Sequence, residues 1–229
     1  WSVAPVLIML LYAFYSGKVF ETGTYLVLFT VSAWGIRLTL NWAYTFKNLN
    51  LQDWRYDYYK SKFPGLWHLI NLTGIHIMPT LVVYGVIVPG LIMIENNYKA
   101  NSLTLFFAFI CIIAVSIQII SDFQMHEFKK NSKLNDAICK SGFWQYCRHP
   151  NYTGEILMWW GFCGMLLSVD FSYRITAIGA MINTLMFIFI SVPLMEKRLI
   201  AGKNGYNEYI ESTGMFFPNT KTLKYIFIK

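Results

Sequence analysis

Charged residues are scarce in this sequence of 229 residues, which contains 19 Lys and Arg and 12 Asp and Glu. They make up 14% of the chain, whereas about 25% is usual for a soluble globular domain. Hydrophobic residues reach 55%, and the mean hydropathy is +0.41. This balance excludes an ordinary water-soluble fold and predicts an all-α, polytopic membrane helix bundle.

Several motifs of soluble enzymes are also missing. The four cysteines show no CxxC pair and no Cys/His spacing typical of a disulfide framework or a zinc site. His126 and Glu127 begin like the HExxH zinc motif, but position 130 is Lys. Neither a GxGxxG loop nor a Walker loop is present. We therefore expect no metal, and any nucleotide must bind without a Rossmann fold.

Long apolar segments supply the helices that this composition requires. A helix needs roughly 20 residues to cross a hydrocarbon core of about 30 Å. Residues 25–42, 66–94, 103–121 and 175–195 meet this condition, and residues 3–15 and 154–168 are shorter candidates. Because no linker or internal repeat interrupts the pattern, we predict one membrane domain, 1–229, with six or seven spans. The start at Trp1, directly before an apolar segment, leads us to expect a further helix upstream.

Basic residues alternate between the predicted loops. Fifteen of the 19 Lys and Arg residues lie between the second and third spans, between the fourth and fifth, or after the last. The opposite loops contain only Lys18, Lys99 and Arg174. By the positive-inside rule the basic loops and a C-terminal tail, 196–229, face the cytoplasm, as in a bacterial inner-membrane protein. The net charge of +7 thus reflects topology, and we expect no nucleic-acid partner.

Polar clusters lie near the predicted cytoplasmic ends of the spans. In the first, Arg37 and Asn41 stand one helical turn apart, and Asp53 follows at the start of DWRYDYY. In the second, Gln118 and Asp122 are four residues apart and share one helix face. Both also fit a purely structural role, as a snorkelling arginine, an interfacial aromatic belt or a polar helix end.

The third cluster is WQYCRHPNYTGE at residues 144–155. Pro150 predicts a helix start, because the residue before a proline disfavours the helical conformation. The unpaired N–H groups of such a start, with Arg148 beside them, suit an anion. Glu155 lies just inside the apolar segment, where a carboxylate is costly unless it has a partner, and this position indicates function.

A polar stripe also runs along the third span. His68, Asn71, Thr73 and His76 form it. These side chains either face a cavity or form interhelical hydrogen bonds.

These motifs together resemble the steroid 5-alpha-reductase superfamily, and look closest to its bacterial, uncharacterised DUF1295-type branch. The resemblance covers nearly the whole chain. RHPxY alone is weak, because isoprenylcysteine and phospholipid methyltransferases share it, whereas RHPNYxGE followed by WWG is much more specific. The matching motifs are W..P at Trp1, RL..N at Arg37, DWRY at 53–56, WQYCRHPNYTGEILMWWG at 144–161, MEKR at 195–198, the Tyr206/Tyr209 pair and FFP at 216–218.

The resemblance implies a seven-helix membrane reductase that holds NADPH from the cytoplasmic side. Its reaction would reduce an activated carbon–carbon double bond in a lipid taken from the bilayer, such as a 3-oxo-steroid-like or enoyl lipid. Asn151, Tyr152 and Glu155 match the motif that contacts the nicotinamide and ribose. Lys129 stands where relatives often have arginine, which exchanges a bidentate phosphate clamp for a point charge. The residues assigned to the cofactor site are Arg37, Asn41, Asp122, Lys129, Trp144, Tyr146, Arg148, His149, Asn151, Tyr152, Glu155, Glu196, Arg198, Tyr206 and Tyr209.

The proton-donating pair of the steroid reductases, a glutamate and a tyrosine, is not matched in this sequence. The glutamate falls at or before Trp1, and Trp34 occupies the tyrosine position. We therefore take Tyr56, in the DWRY motif, as the candidate acid and His76 as its alternative.

Two other functions fit the same residues. One is an S-adenosylmethionine-dependent membrane methyltransferase that holds its cofactor at RHPNY, with Glu196 and Tyr206 nearby. The other is a non-catalytic lipid-binding protein that keeps the superfamily's pocket. In each case we expect a monomer.

Overall fold

The computed structural model describes residues 2–46, 53–132 and 137–227, with side chains described as far as residue 223. Trp1, Lys47, Lys133 and Lys229, which entered the sequence analysis, lie outside the described residues, as does the side chain of Lys224. The helices are α1 (Val3–Ser16), α2 (Thr22–Thr45), α3 (Trp54–Lys62), α4 (Pro64–Asn96), α5 (Ser102–Asn131), α6 (Pro150–Val169), α7 (Phe171–Gly202), α8 (Tyr206–Ser212) and α9 (Thr220–Phe227).

The prediction of an all-helical membrane protein is confirmed. The four long predicted spans correspond to α2, α4, α5 and α7, each long and apolar enough to cross a membrane. Two of these helices extend beyond their apolar parts: α5 continues to Asn131, and α7 continues through Glu196 to Gly202. The predicted tail 196–229 therefore begins as the last turns of α7.

Glycines allow α5 and α6 to pack along their whole lengths. A side chain at Gly154 would meet Gln118, one at Gly161 would meet Cys111, and one at Gly164 would meet Phe107. The numbers rise on α6 as they fall on α5, so the two helices are antiparallel. Small residues in such positions let membrane helices approach closely, which maximises van der Waals contact where the hydrophobic effect gives no help.

Contacts between three connecting segments identify one end of the bundle. Gly23 N–H donates to the Tyr98 carbonyl over 3.1 Å, Lys18 pairs with Glu95, and Tyr98 OH donates to Asp170 over 2.7 Å. The α1–α2, α4–α5 and α6–α7 connections therefore lie together. The three polar clusters of the sequence meet at the opposite end, which we call the site end.

Both α4 and α7 contain a π-helical segment just before a proline. These segments are Asn71–Ile77, ahead of Pro79, and Phe187–Ser191, ahead of Pro193. Proline has no N–H to donate four residues back, and the preceding N–H groups bond five residues back instead, as Val192 does to Phe187. Such wide turns are frequent at functional sites.

The glycine packing makes a testable prediction at Gly154. An added Cβ there would lie 2.7 Å from the Ala114 carbonyl oxygen, so Gly154→Ala must push α5 and α6 apart. Overpacking of this kind costs about 1–3 kcal/mol, and thermal unfolding in detergent should show the loss. Gly202→Ala is the control, because nothing lies within 4 Å of its added Cβ. Equal stability of the two variants would contradict the described packing.

Candidate functional site

The carboxylate of Glu155 is enclosed by hydrogen-bond donors from three helices. Trp34 Nε1 on α2 donates to both carboxylate oxygens, at 2.9 and 3.0 Å. Trp159 Nε1 donates to Oε1 over 2.8 Å, and Gln118 Nε2 on α5 donates to Oε2 over 3.1 Å. Charge-assisted hydrogen bonds of this kind offset the cost of holding a carboxylate inside the membrane. We call Glu155, Trp34, Trp159 and Gln118 the carboxylate cage.

Arg37 connects the cage to the site end of α5. Its guanidinium forms an ion pair with Asp122, and its Nη1 lies 4.0 Å from Glu155 Oε2. The Arg37 side chain is 8% exposed, so the pair is largely shielded from solvent. Among the described residues, Arg37 Nε and Gln118 Oε1 have no hydrogen-bond partner. The cage therefore keeps one unused acceptor, on Gln118, and the neighbouring Arg37 keeps one unused donor.

Asn41 is tied to α5 one turn further toward the site end. Its Oδ1 lies 2.7 Å from His126 Nε2, and the His126 ring packs against Tyr44 with 4.6 Å between centroids. The polar faces of α2 and α5, which the sequence placed near the same ends of their spans, are thus in direct contact. Lys129, one turn beyond Met125 on α5, is exposed.

The residues before α6 are fixed by a second buried ion-pair network. Arg148 Nε donates to Glu196 Oε1 over 2.7 Å, and His149 Nε2 lies 2.9 Å from the same oxygen. Arg148 also donates to the carbonyls of Ile210 and Thr213. The guanidinium thereby links the start of α6 to α7, to α8 and to the residue after α8.

Further hydrogen bonds, two of them between backbone groups, strengthen this link. Arg148 N–H donates to the Gly214 carbonyl over 2.9 Å, and His149 N–H donates to the Met215 carbonyl over 3.1 Å. Tyr209 OH donates to the Trp144 carbonyl, and Thr153 Oγ1 donates to the Phe216 carbonyl over 2.9 Å. The FFP segment and the two residues before it therefore hold the RHPNY turn in place.

α6 begins at Pro150, as predicted, with a cavity of about 250 Å³ in front of it. The ring of Tyr152 is stacked parallel to His149, with 5.4 Å between centroids, and packs against Phe187 of α7 at 4.8 Å. Burial raises the pKa of the Tyr206 and Tyr209 phenols, so both stay protonated at neutral pH. The cavity is lined by Met125, Lys129, Ile138, Cys139, Trp144, Arg148, His149, Asn151, Tyr152, Met195, Leu199, Lys203, Tyr206 and Tyr209.

Helix α3 brings the DWRY motif to the same end. Asp53 caps α3 by accepting from the Arg55 N–H, and hydrogen bonds from the Arg55 side chain hold the pKa of its carboxyl below the usual range. Arg55 is close enough to Tyr152 to interact with it electrostatically. Arg198 of α7 lies 4.6 Å from the ring centroid of Trp54, a cation–π contact.

The two candidate acids lie next to each other. The rings of Tyr56 and His76 are 6.1 Å apart, and Trp67 packs on the other edge of Tyr56 at 6.0 Å. Tyr56 is half-buried, and His76 is exposed within the π-helical part of α4. Neither residue is among those that line the cavity.

The structure divides the residues predicted from sequence into two groups. Within the described chain, Lys129, Trp144, Arg148, His149, Asn151, Tyr152, Tyr206 and Tyr209 line the cavity. The other predicted residues do not line it: Arg37, Asn41, Asp122, Tyr146, Glu155, Glu196 and Arg198. Sequence reasoning missed Trp34 and Trp159 as partners of Glu155. The signal for Trp159 was its position four residues after Glu155, on the same helix face.

The cage predicts that Trp34 stabilises the bundle through its N–H group. Trp34→Phe keeps an aromatic ring but removes the donor to both carboxylate oxygens, which should cost about 1–3 kcal/mol. Trp42→Phe is the control, since Trp42 is 60% exposed and should change stability by less than about 0.5 kcal/mol. Thermal unfolding in one detergent measures both, and a Trp34→Phe protein as stable as its control would rule out the cage.

The chain is similar in sequence to known proteins. The Delta(14)-sterol reductase of Dictyostelium discoideum is 35% identical over 54 residues, which cover 18% of this chain and 12% of that protein. No solved structure matches the chain. Residues 1–213 match the family described as a protein of unknown function (DUF1295). The chain belongs to this DUF1295 family, which is part of the steroid 5-alpha-reductase superfamily.

Proposed function

We propose that the protein is an NADPH-dependent membrane reductase of an activated carbon–carbon double bond in a lipid. The observation that carries the proposal is the cavity at the start of α6, the helix that also carries Glu155 of the carboxylate cage. The superfamily membership and the similarity to a sterol reductase support a reductase. The identity of the cofactor and of the lipid is part of the proposal, as is the cytoplasmic position of the site.

The residues around the cavity fit part of a dinucleotide. Its volume of about 250 Å³ is below the 300–1,000 Å³ or so of drug-sized ligand pockets, so the rest of the cofactor would lie along the exposed end of α5. Pro150 has no N–H and the Tyr152 N–H donates to Asn151 Oδ1 over 3.1 Å, so the start of α6 would offer an anion the Asn151 N–H, and Lys129 adds a positive charge. Lys129 would hold the extra phosphate of NADPH, and Asn151 and Tyr152 the ribose and nicotinamide.

NADPH supplies a hydride when bound, and the protein positions the cofactor and the lipid and excludes water. His149 and Phe187 pack against Tyr152 and fix the position of its ring in the cavity lining. The carboxylate cage and the Arg37–Asp122 pair lie one turn further in. They fix the helices that carry the wall, and a rigid, water-poor site strengthens electrostatic interactions with the reacting lipid.

A methyltransferase would need Glu196 to contact its cofactor. In this protein both Arg148 and His149 already bond to Glu196 Oε1, and its side chain is only 12% exposed. Nothing in this geometry favours S-adenosylmethionine, which therefore serves as the competing ligand in the test.

Lys129 provides the binding prediction. Removing its charge should weaken NADPH binding at least tenfold, because a hydrogen bond to a charged group contributes about 1.5–3 kcal/mol. NADH, which lacks the extra phosphate, should bind wild type and Lys129→Ala equally. The measurement is calorimetric titration of protein in nanodiscs, with Lys130→Ala as the matched control on the adjacent exposed position.

Each outcome of this titration has a separate meaning. Tenfold weaker NADPH binding to Lys129→Ala, with normal binding to Lys130→Ala, supports the proposed site. Equal effects of the two changes would indicate only a diffuse positive surface. Binding of S-adenosylmethionine in place of NADPH would assign the protein to the methyltransferases. If neither cofactor binds, the result would favour a non-catalytic lipid-binding protein.

Tyr56 provides the catalytic prediction. A general acid contributes about 10²–10⁴-fold to rate, so Tyr56→Phe should slow single-turnover hydride transfer by that factor without changing NADPH affinity. Tyr59→Phe is the control on the same helix. If Tyr56→Phe transfers hydride at the wild-type rate, the acid is not Tyr56, and His76→Gln is the next variant to measure.

A further inference from the structure

Asn183 carries an unused hydrogen-bond donor in the middle of a membrane-spanning helix. Its residue is 5% exposed, and its Nδ2 has no hydrogen-bond partner among the residues that the structure describes. An unsatisfied polar group costs about 1–3 kcal/mol in a protein interior, and the hydrocarbon core has no water to satisfy it. Leu, of similar size, would avoid this cost.

The neighbouring polar residue shows that this part of α7 otherwise satisfies its polar groups. Thr184 Oγ1 accepts from Trp160 Nε1 over 3.0 Å and donates to the Ala180 carbonyl over 2.8 Å. Asn183, one position earlier, has no such arrangement for its Nδ2 within the described chain. The donor is therefore unpaired beside a fully paired hydroxyl.

The position of Asn183 connects it to the cavity. One turn toward the opposite end, Gly179 packs directly on Gly85 of α4. One turn toward the site end, Phe187 packs on Tyr152 of α6. Ala180, Asn183 and Phe187 are all buried, so this stripe of α7 faces the bundle between α4 and α6.

The helices around Asn183 are distorted on the site-end side. Both π-helical segments, Asn71–Ile77 on α4 and Phe187–Ser191 on α7, lie between Asn183 and the site end. Asn71 Oδ1 is a second buried atom without a partner in the described residues. Exposed apolar side chains flank the same region, among them Leu81 at 65% and Phe189 at 71%. The region is thus polar inside and apolar toward the lipid.

We propose that Asn183 Nδ2 donates a hydrogen bond to an oxygen of a neutral lipid bound within the bundle. An amide N–H needs an oxygen acceptor, and the apolar surroundings favour a ligand that is otherwise hydrocarbon. The inference rests on the proposed function, because it places the substrate's oxygen one to two turns from Tyr152. It adds a residue that selects an oxygenated lipid over a hydrocarbon of the same shape.

The test compares two lipids that differ only in the oxygen. Protein in nanodiscs is loaded with equal amounts of cholest-4-en-3-one and cholest-4-ene, without cofactor, and the lipid that it retains is quantified by mass spectrometry. We expect the wild type to retain the ketone about tenfold over the hydrocarbon, and Asn183→Leu to retain both equally. Thr184→Val, the isosteric change at the next position, should keep the tenfold preference.

A second measurement tests whether Asn183→Leu disturbs the structure as a whole. Ligand-free Asn183→Leu should unfold at a temperature equal to or above that of the wild type, since no bond of Nδ2 is lost. A lower temperature, retention of neither lipid by the wild type, or a ketone preference that survives in Asn183→Leu would overturn the inference. A ketone preference without NADPH binding would support the role of Asn183 and contradict the proposed cofactor. NADPH binding without a ketone preference would support the cofactor and contradict the role of Asn183.

Discussion

The bundle depends on one buried carboxylate. Glu155 is surrounded by two indole N–H groups and an amide, with the Arg37 guanidinium 4.0 Å away. Leaving such a charge without its donors costs far more than any single surface contact, so the donors must stay in place. Because they belong to α2, α5 and α6, the carboxylate fixes three helices against each other. The turn at residues 148–150, which forms the cavity wall, begins the helix that carries Glu155.

The second network stabilises the outer side of the same wall. Glu196 accepts from both Arg148 and His149, and the carbonyls of Gly214 and Met215 accept their backbone N–H groups. The start of α6 is thereby held by Glu155, further along the same helix, and by Glu196 of α7. A ligand at Pro150 would meet a preformed surface, which reduces the entropy lost on binding. This explains why so many polar residues surround one helix start in an apolar sequence.

Much of this arrangement could be predicted from the sequence. The rise of an α-helix per residue and the thickness of the membrane determine the length of the four long spans. Pro150 determines where α6 begins. The cage could not be predicted, because Trp34 is 121 residues from Glu155 and an indole in an apolar segment looks like core packing. The same holds for Glu196, whose two partners depend on how α7 meets α6. The unpaired Nδ2 of Asn183 could not be predicted either, because the sequence does not show whether the side-chain amide of an asparagine in a span has hydrogen-bond partners.

The central claim, that this end of the bundle directs hydride to a lipid, has one direct measurement. Purified protein in nanodiscs is incubated with cholest-4-en-3-one and NADPH carrying deuterium at the transferable C4 position, and the lipid is analysed by mass spectrometry. The account predicts a saturated ketone that carries one deuterium from the cofactor. Unchanged lipid, or a reduced product without deuterium, would contradict it.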